Sequence, residues 1–148
     1  MSKTPKVVAI LLYIAGAVLL VGGAGTWYTV SNQLAAEKIT VTQDAACQAG
    51  QEVNGPIEAY CMADIINKHA LKTTDGKTYA ELDREDPRRA VAMNGSFLRA
   101  SLFTSVVAFG VAAFAMGVGV ISIIAGVGIS ALDKRTSTVE APAEVVTA

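Results

Sequence analysis

One histidine, His69, and two cysteines, Cys47 and Cys61, are the only imidazole and thiol groups in this 148-residue chain. A metal centre needs several ligands at fixed spacing, and neither cysteine stands in a zinc-like pattern with the histidine. His69 falls on the face of a predicted helix and reads as a solvated or hydrogen-bonded structural residue. A CxxC pair is missing, which argues against thioredoxin-type chemistry, and so is the CxxCH of covalent haem attachment. No phosphate-binding loop, dinucleotide fingerprint or Ser-His-acid set can be assembled. Glu81, Asp83, Glu85 and Asp86 lack the alternating ligands and turn glycine of a calcium loop. The expectation is a chain with no catalytic residue, metal, cofactor or small-molecule substrate. A net charge of −1 gives no reason to expect nucleic acid as a partner.

Charge is also missing from two long stretches. Residues 7–36 and 100–132 contain no Asp, Glu, Lys or Arg, while 10 of the 13 acidic residues fall between Glu37 and Asp86. About 20 apolar helical residues cross a bilayer core about 30 Å thick, so both runs are long enough to span. They predict an integral membrane protein, mainly α-helical: an antiparallel two-helix transmembrane hairpin around a small extracytoplasmic α+β insert. The expected divisions are an N-terminus over residues 1–6, a first span over 7–30, the insert over 31–95, a second span over 96–132 and a disordered tail over 133–148.

The first run opens after Lys3 and Lys6, as a signal peptide would, but its apolar part is about twice the 7–15 residues of such a leader. A retained helix is expected, with Trp27 and Tyr28 at the headgroup level where aromatic rings collect. Ala9, Gly16 and Gly23 recur every seven residues, with Leu12, Leu19 and Thr26 between them. In the second run Ser101, Ser105, Ala108, Ala112, Ala115, Gly119, Ser122, Gly126 and Ser130 fall three or four residues apart on one helical face. Within lipid no hydrophobic force presses helices together, so close approach through small residues supplies the affinity. Such a seam can close the hairpin or receive a partner helix, and the sequence leaves both uses open.

Within the insert, Ile39-Thr40-Val41-Thr42 carries a short strand signal. Asn54-Gly55-Pro56 opens a helix to about Lys72, with Ile57, Tyr60, Cys61, Ile65 and Leu71 as its apolar face. Thr78 and Glu81 fit a capping box for a short helix over residues 79–83. Asp86-Pro87 offers a further helix start, expected to run through Asn94-Gly95-Ser96 into the second span; that triplet matches the N-glycosylation pattern but reads better as a local cap or kink. An insert of this size has a marginal core. A Cys47–Cys61 bridge would close a 15-residue loop, worth roughly 3 kcal/mol, and would need an oxidising compartment; two free buried thiols are the alternative. Lys3, Lys6, Lys134 and Arg135 place both termini in the cytoplasm of a plasma-membrane protein, although Arg84, Arg88, Arg89 and Arg99 crowd the opposite end of the second span.

The run from Gly76 to Arg88 (GKTYAELDREDPR), followed by Ala92 to Gly110 (AMNGSFLRASLFTSVVAFG), resembles a family of small two-span actinobacterial membrane proteins. Thr26-Trp27, Ile39-Thr40-Val41 and Gly55-Pro56 fit the same likeness, which covers roughly residues 24–117. Many members carry the label aromatic ring-opening dioxygenase A subunit. Such dioxygenases need two histidines and a carboxylate on iron, so a chain with one histidine and two spans does not fit that label. Proteins of this kind are similar to accessory subunits of the actinobacterial cytochrome bcc–aa3 respiratory supercomplex. The resemblance implies a non-catalytic subunit whose partners are the bilayer and other integral membrane subunits. Arg84, Arg88, Arg89, Arg99, Phe97 and Phe103 are the expected partner-binding residues, with Phe97, Phe103, Phe109 and Phe114 facing lipid or partner. The rival expectation is an independent envelope protein, acting as a homo-oligomer or extracytoplasmic sensor.

Overall fold

The computed structural model describes residues 3–139. Three helices carry the chain: α1 (Lys3–Ala36), α2 (Pro56–Thr73) and α3 (Arg89–Val139). Two of them, over Thr4–Ala36 and Arg89–Arg135, are long and apolar enough to cross a membrane, and in the most apolar window of each only 17% is buried. Both overrun the expected spans, since no glycine or proline follows Val30 before Ala36 or Leu132 before Val139, and α3 begins ahead of residue 96 by running through Gly95. The part of the expected tail from Asp133 to Val139 is helical, and residues 140–148 of that tail lie outside the described residues, as do Met1 and Ser2 of the N-terminal segment.

The chain forms two compact units, one combining the residues up to Ala24 with those from Ala113 onward, the other comprising Gly25–Ala112. In the first unit α1 and α3 pack through small residues. A Cβ placed on Gly16 would lie 2.7 Å from the Gly119 carbonyl oxygen, and one on Gly119 would lie 2.8 Å from that of Gly16. One heptad away, a Cβ on Gly126 would meet Tyr13 at 3.0 Å and the Ala9 carbonyl at 3.3 Å. Rising numbers on α1 thus meet falling numbers on α3, an antiparallel packing. Tyr13 and Ser130 hydroxyls lie 3.3 Å apart across it. Ala9, Gly16 and Gly23 are all buried, while Thr26 is exposed.

The second unit has the larger core. Leu34, Val41, Val53, Ala59, Cys61, Ala63, Leu102 and Phe109 are buried together, with Trp27 packed against them. Phe109, expected to face outward, is 1% exposed and meets Trp27 edge-on at 4.7 Å. The ring falls on the face that the small residues mark, one helical position from Ala108. α2 turns Ala59, Cys61, Ala63 and Ile65 inward, leaves Ile57 and Tyr60 more than half exposed, and comes close to α3 at its far end. The contact that sets this distance is Gly95, where a Cβ would lie 2.8 Å from the Ala70 methyl.

The connections depart from expectation in two places. The strand signal at residues 39–42 yields a single isolated antiparallel bridge, Thr40 to Glu52, and no strand occurs among the described residues. Val41 N–H donates to Gln51 O and Val53 N–H to Ile39 O, but a turn at Thr42–Ala45 ends the pairing at once. Positive φ at Gln48 and Gly50 returns the chain within this short span. The predicted helix over residues 79–83 is a series of turns. Its capping contact still forms, with the Thr78 N–H and hydroxyl both donating to Glu81 Oε2 at 2.8 and 2.7 Å. A box satisfies two donors but cannot nucleate a helix that stops four residues later. By contrast, α2 starts at Pro56 as the sequence indicates, and α3 runs without interruption through Asn94-Gly95.

Candidate functional site

Cys47 and Cys61 are joined in a disulfide, with Cα atoms 5.7 Å apart. The bridge fastens the loop after Val41 to the buried face of α2. A second tie crosses nearby, His69 Nε2 to Asp44 Oδ2 at 2.6 Å. That hydrogen bond is the main reason the Asp44 carboxyl titrates below its ordinary value. His69 therefore joins loop to helix, and among the described residues no group of three His, Cys, Asp or Glu side chains comes together as a metal site.

The six residues expected to bind a partner divide into two groups. Arg88 is committed within the chain. Its guanidinium grips Asp86 through Nε (3.1 and 3.2 Å) and Nη2 (2.8 Å), and reaches Asp75 through Nη1 at 2.7 Å. The Arg88 side chain, with its backbone N–H, holds the Asp86 carboxyl down to about 2, and the two acids in turn raise Arg88. This knot fixes the turn from which α3 departs. Arg89 is also engaged, donating to Leu82 O at 2.7 Å and lying 4.1 Å above the Tyr79 ring. Phe103 packs edge-on against Tyr60 at 5.9 Å, beneath the Arg99 guanidinium.

Phe97, Arg84 and Arg99 remain turned outward. Phe97 is 74% exposed, and Val91, Met93 and Leu98 on the same end of α3 are each at least 43% exposed. Arg84 is exposed in the turn before α3. Arg99 makes one long hydrogen bond, to Asn67 Oδ1 at 3.4 Å. The seam residues also separate by unit. Gly119 and Gly126 are buried and Ala115, Ser122 and Ser130 half-buried; Ala112 is buried, Ser105 and Ala108 half-buried, and Ser101 exposed. Ser105, Ser122 and Ser130 donate back to the carbonyls four residues earlier, so their hydroxyls are satisfied within α3.

Sequence reasoning passed over Asn67, Lys77 and Ser96, which gather with Arg99 around a small cleft. The available signal was the i, i+3 spacing of Ser96 and Arg99, read there as the edge of a span. Compared with protein-family models, characterised proteins and solved structures, the chain gives no match.

Proposed function

We propose that this chain is a non-catalytic accessory subunit of a membrane protein complex, with a respiratory cytochrome bcc–aa3 assembly as the leading host. In this reading α1 and α3 form a transmembrane hairpin, both termini are cytoplasmic, and the bridged segment between them faces the oxidising side. The observation that carries it is the outer end of α3, where Val91, Met93, Phe97 and Leu98 stand exposed beside Arg99 and apart from the apolar run proper. At the helical period Val91 and Leu98 share one face and Met93 and Phe97 another, and apolar side chains exposed this way beyond the span are unfavourable unless something covers them. Around Gly16, Gly119 and Gly126 the small-residue seam is spent within the chain. Recognition then falls to the exposed outer end, with exposed Arg84 and Arg99 supplying charge and Phe97 an aromatic anchor of the kind that dominates interfaces.

Purification in mild detergent through a C-terminal tag, followed by haem absorbance and mass spectrometry, tests this directly. Cytochrome subunits at stoichiometric levels are the expected result. A homo-oligomer free of haem would overturn the reading. The rim should also matter: Phe97→Ala with Arg99→Ala is expected to release the partner while leaving the chain folded.

A further inference from the structure

A cleft of about 90 Å³ opens where α2, the turn following it and α3 converge. Its floor is small, made by half-buried Ala70, buried Ala92 and the fully enclosed Thr74. Gly95 keeps that floor low by letting α3 approach Ala70. Thr74 offers the cleft nothing, since its hydroxyl sits among the carbonyls of Lys77 (2.5 Å), Ala70 (3.1 Å) and Leu71 (3.3 Å).

The rim is different. Lys77 and Arg99 both line it, and neither is paired with a carboxylate among the described residues. Within this unit Arg88 has Asp75 and Asp86 and Lys68 has Asp64, while Lys38, Lys72, Arg84 and Arg89, like Lys77 and Arg99, show no carboxylate at ion-pair distance among the described residues; what sets Lys77 and Arg99 apart is that they line one cleft. Of the acids near Lys77 in sequence, Asp75 is bonded to Arg88 and Glu81 accepts from the Thr78 N–H and hydroxyl, and Lys77 acts on Glu81 and Asp86 only through space. Hydrogen-bonding capacity is equally one-sided. Arg99 has five N–H donors and uses one, on Asn67 Oδ1. That contact occupies an Asn67 acceptor and leaves its amide donors. Lys77 adds three donors and the Ser96 hydroxyl another. Two cations without a direct ion pair, with their unused donors converging over one floor, suit an oxyanion. The volume is well below the roughly 300–1,000 Å³ of pockets that enclose drug-sized ligands, so one tetrahedral group fits and a nucleotide does not.

We infer that this cleft binds a phosphate group, with Arg99 as the forked donor and Lys77 as the point charge. The group can arrive as a soluble phosphate or as a phospholipid headgroup, and its chemistry is the same in both. The inference shares Arg99 with the accessory-subunit reading but requires no protein partner, and phosphate titration of the isolated chain reads it separately.

Titration calorimetry of the full chain in maltoside micelles, in phosphate-free buffer, tests it with inorganic phosphate as the probe. Saturable binding is expected. Arg99→Gln or Lys77→Gln should each weaken it about tenfold or more, the usual consequence of losing a charge-assisted hydrogen bond. Lys68→Gln, which removes a cation outside the cleft, should leave it unchanged. Arg99→Lys keeps the charge without the fork and should fall between; it also reports on the site if the glutamine variant folds poorly. Absence of a saturable signal, or equal binding by wild type and the two glutamine variants, would overturn the inference. The source is read by repeating the titration in nanodiscs. Phosphate binding retained in galactolipid and lost in phosphatidylglycerol assigns the cleft to a lipid headgroup; binding retained in both assigns it to a soluble phosphate.

Discussion

The contact between Gly16 and Gly119 makes a prediction that separates steric from intrinsic effects. Gly16→Ala adds a methyl 2.7 Å from the Gly119 carbonyl oxygen and 2.6 Å from Ile123 Cγ1. Ordinary contact begins at 3.4 Å, so the helices must part locally by roughly 0.7 Å or the Ile123 side chain must leave its place, and the carbonyl cannot yield without the backbone. Overpacking of this kind costs about 1–3 kcal/mol. Gly22→Ala makes the same chemical change on the same helix, where nothing lies within 4 Å. Both variants gain about 1 kcal/mol of helix propensity, so the gain cancels in their comparison and the difference isolates the steric cost. Each kcal/mol changes the equilibrium about fivefold. Spin labels at Val18→Cys and Ile121→Cys, both about two-thirds exposed on the packed helices, would follow helix separation as dodecyl sulfate is added to maltoside micelles. Gly16→Ala should separate at a lower dodecyl sulfate fraction than wild type, and Gly22→Ala at an equal or higher one. Coincident transitions for the two alanine variants would refute the claim that close backbone approach holds this unit together.

Further outcomes concern the second unit. Reducing the Cys47–Cys61 bridge should cost roughly 3 kcal/mol, seen as faster hydrogen exchange across residues 39–65; in intact cells a membrane-impermeant thiol reagent should label the cysteines only after reduction, labelling without it would refute the bridge, and no labelling after it would place the segment on the other side of the membrane. Asp86 is held at about 2 by Arg88, below its unfolded value near 4. A carboxylate depressed in this way contributes stability that is complete above about pH 4 and lost as pH falls through about 2, because the unfolded chain takes up the proton first. Protection of the Arg89 and Ala92 amides should therefore fall between pH 4 and 2 in wild type and be low and flat in Asp86→Asn. Gly95→Val should force α2 from α3 at Ala70, exposing the Tyr60–Phe103 contact to quenching and lowering the melting temperature.

Much of the architecture is legible in local sequence. Two charge-free runs give two long apolar helices, Pro56 gives the start of α2, and Asp86 gives the turn before α3, because hydropathy, a fixed φ and a short side-chain acceptor each act within a few residues. The heptad of Ala9, Gly16 and Gly23 likewise marks the packed face of α1, since small side chains and a helical period are enough to define a seam. Other matters were decided only by the partners that folding supplied. The β-branched residues 39–42 have strand propensity, yet a strand needs a neighbour of matching length, and the chain offers one rung at Glu52. Phe109 looked like an outward aromatic until Trp27 came against it from a residue 82 positions earlier.

The same holds for charge. Arg88 and Arg99 are alike in sequence, each a cation near the start of the second apolar run. Asp75, 13 residues away, joins Asp86 to commit Arg88, while Asn67 from α2 meets Arg99 without neutralising it. The sequence determined that this end of the molecule would be rich in arginine. The tertiary structure decided which arginine is spent holding a turn and which is left without a carboxylate, because an ion pair depends on distances across the fold that no local pattern records.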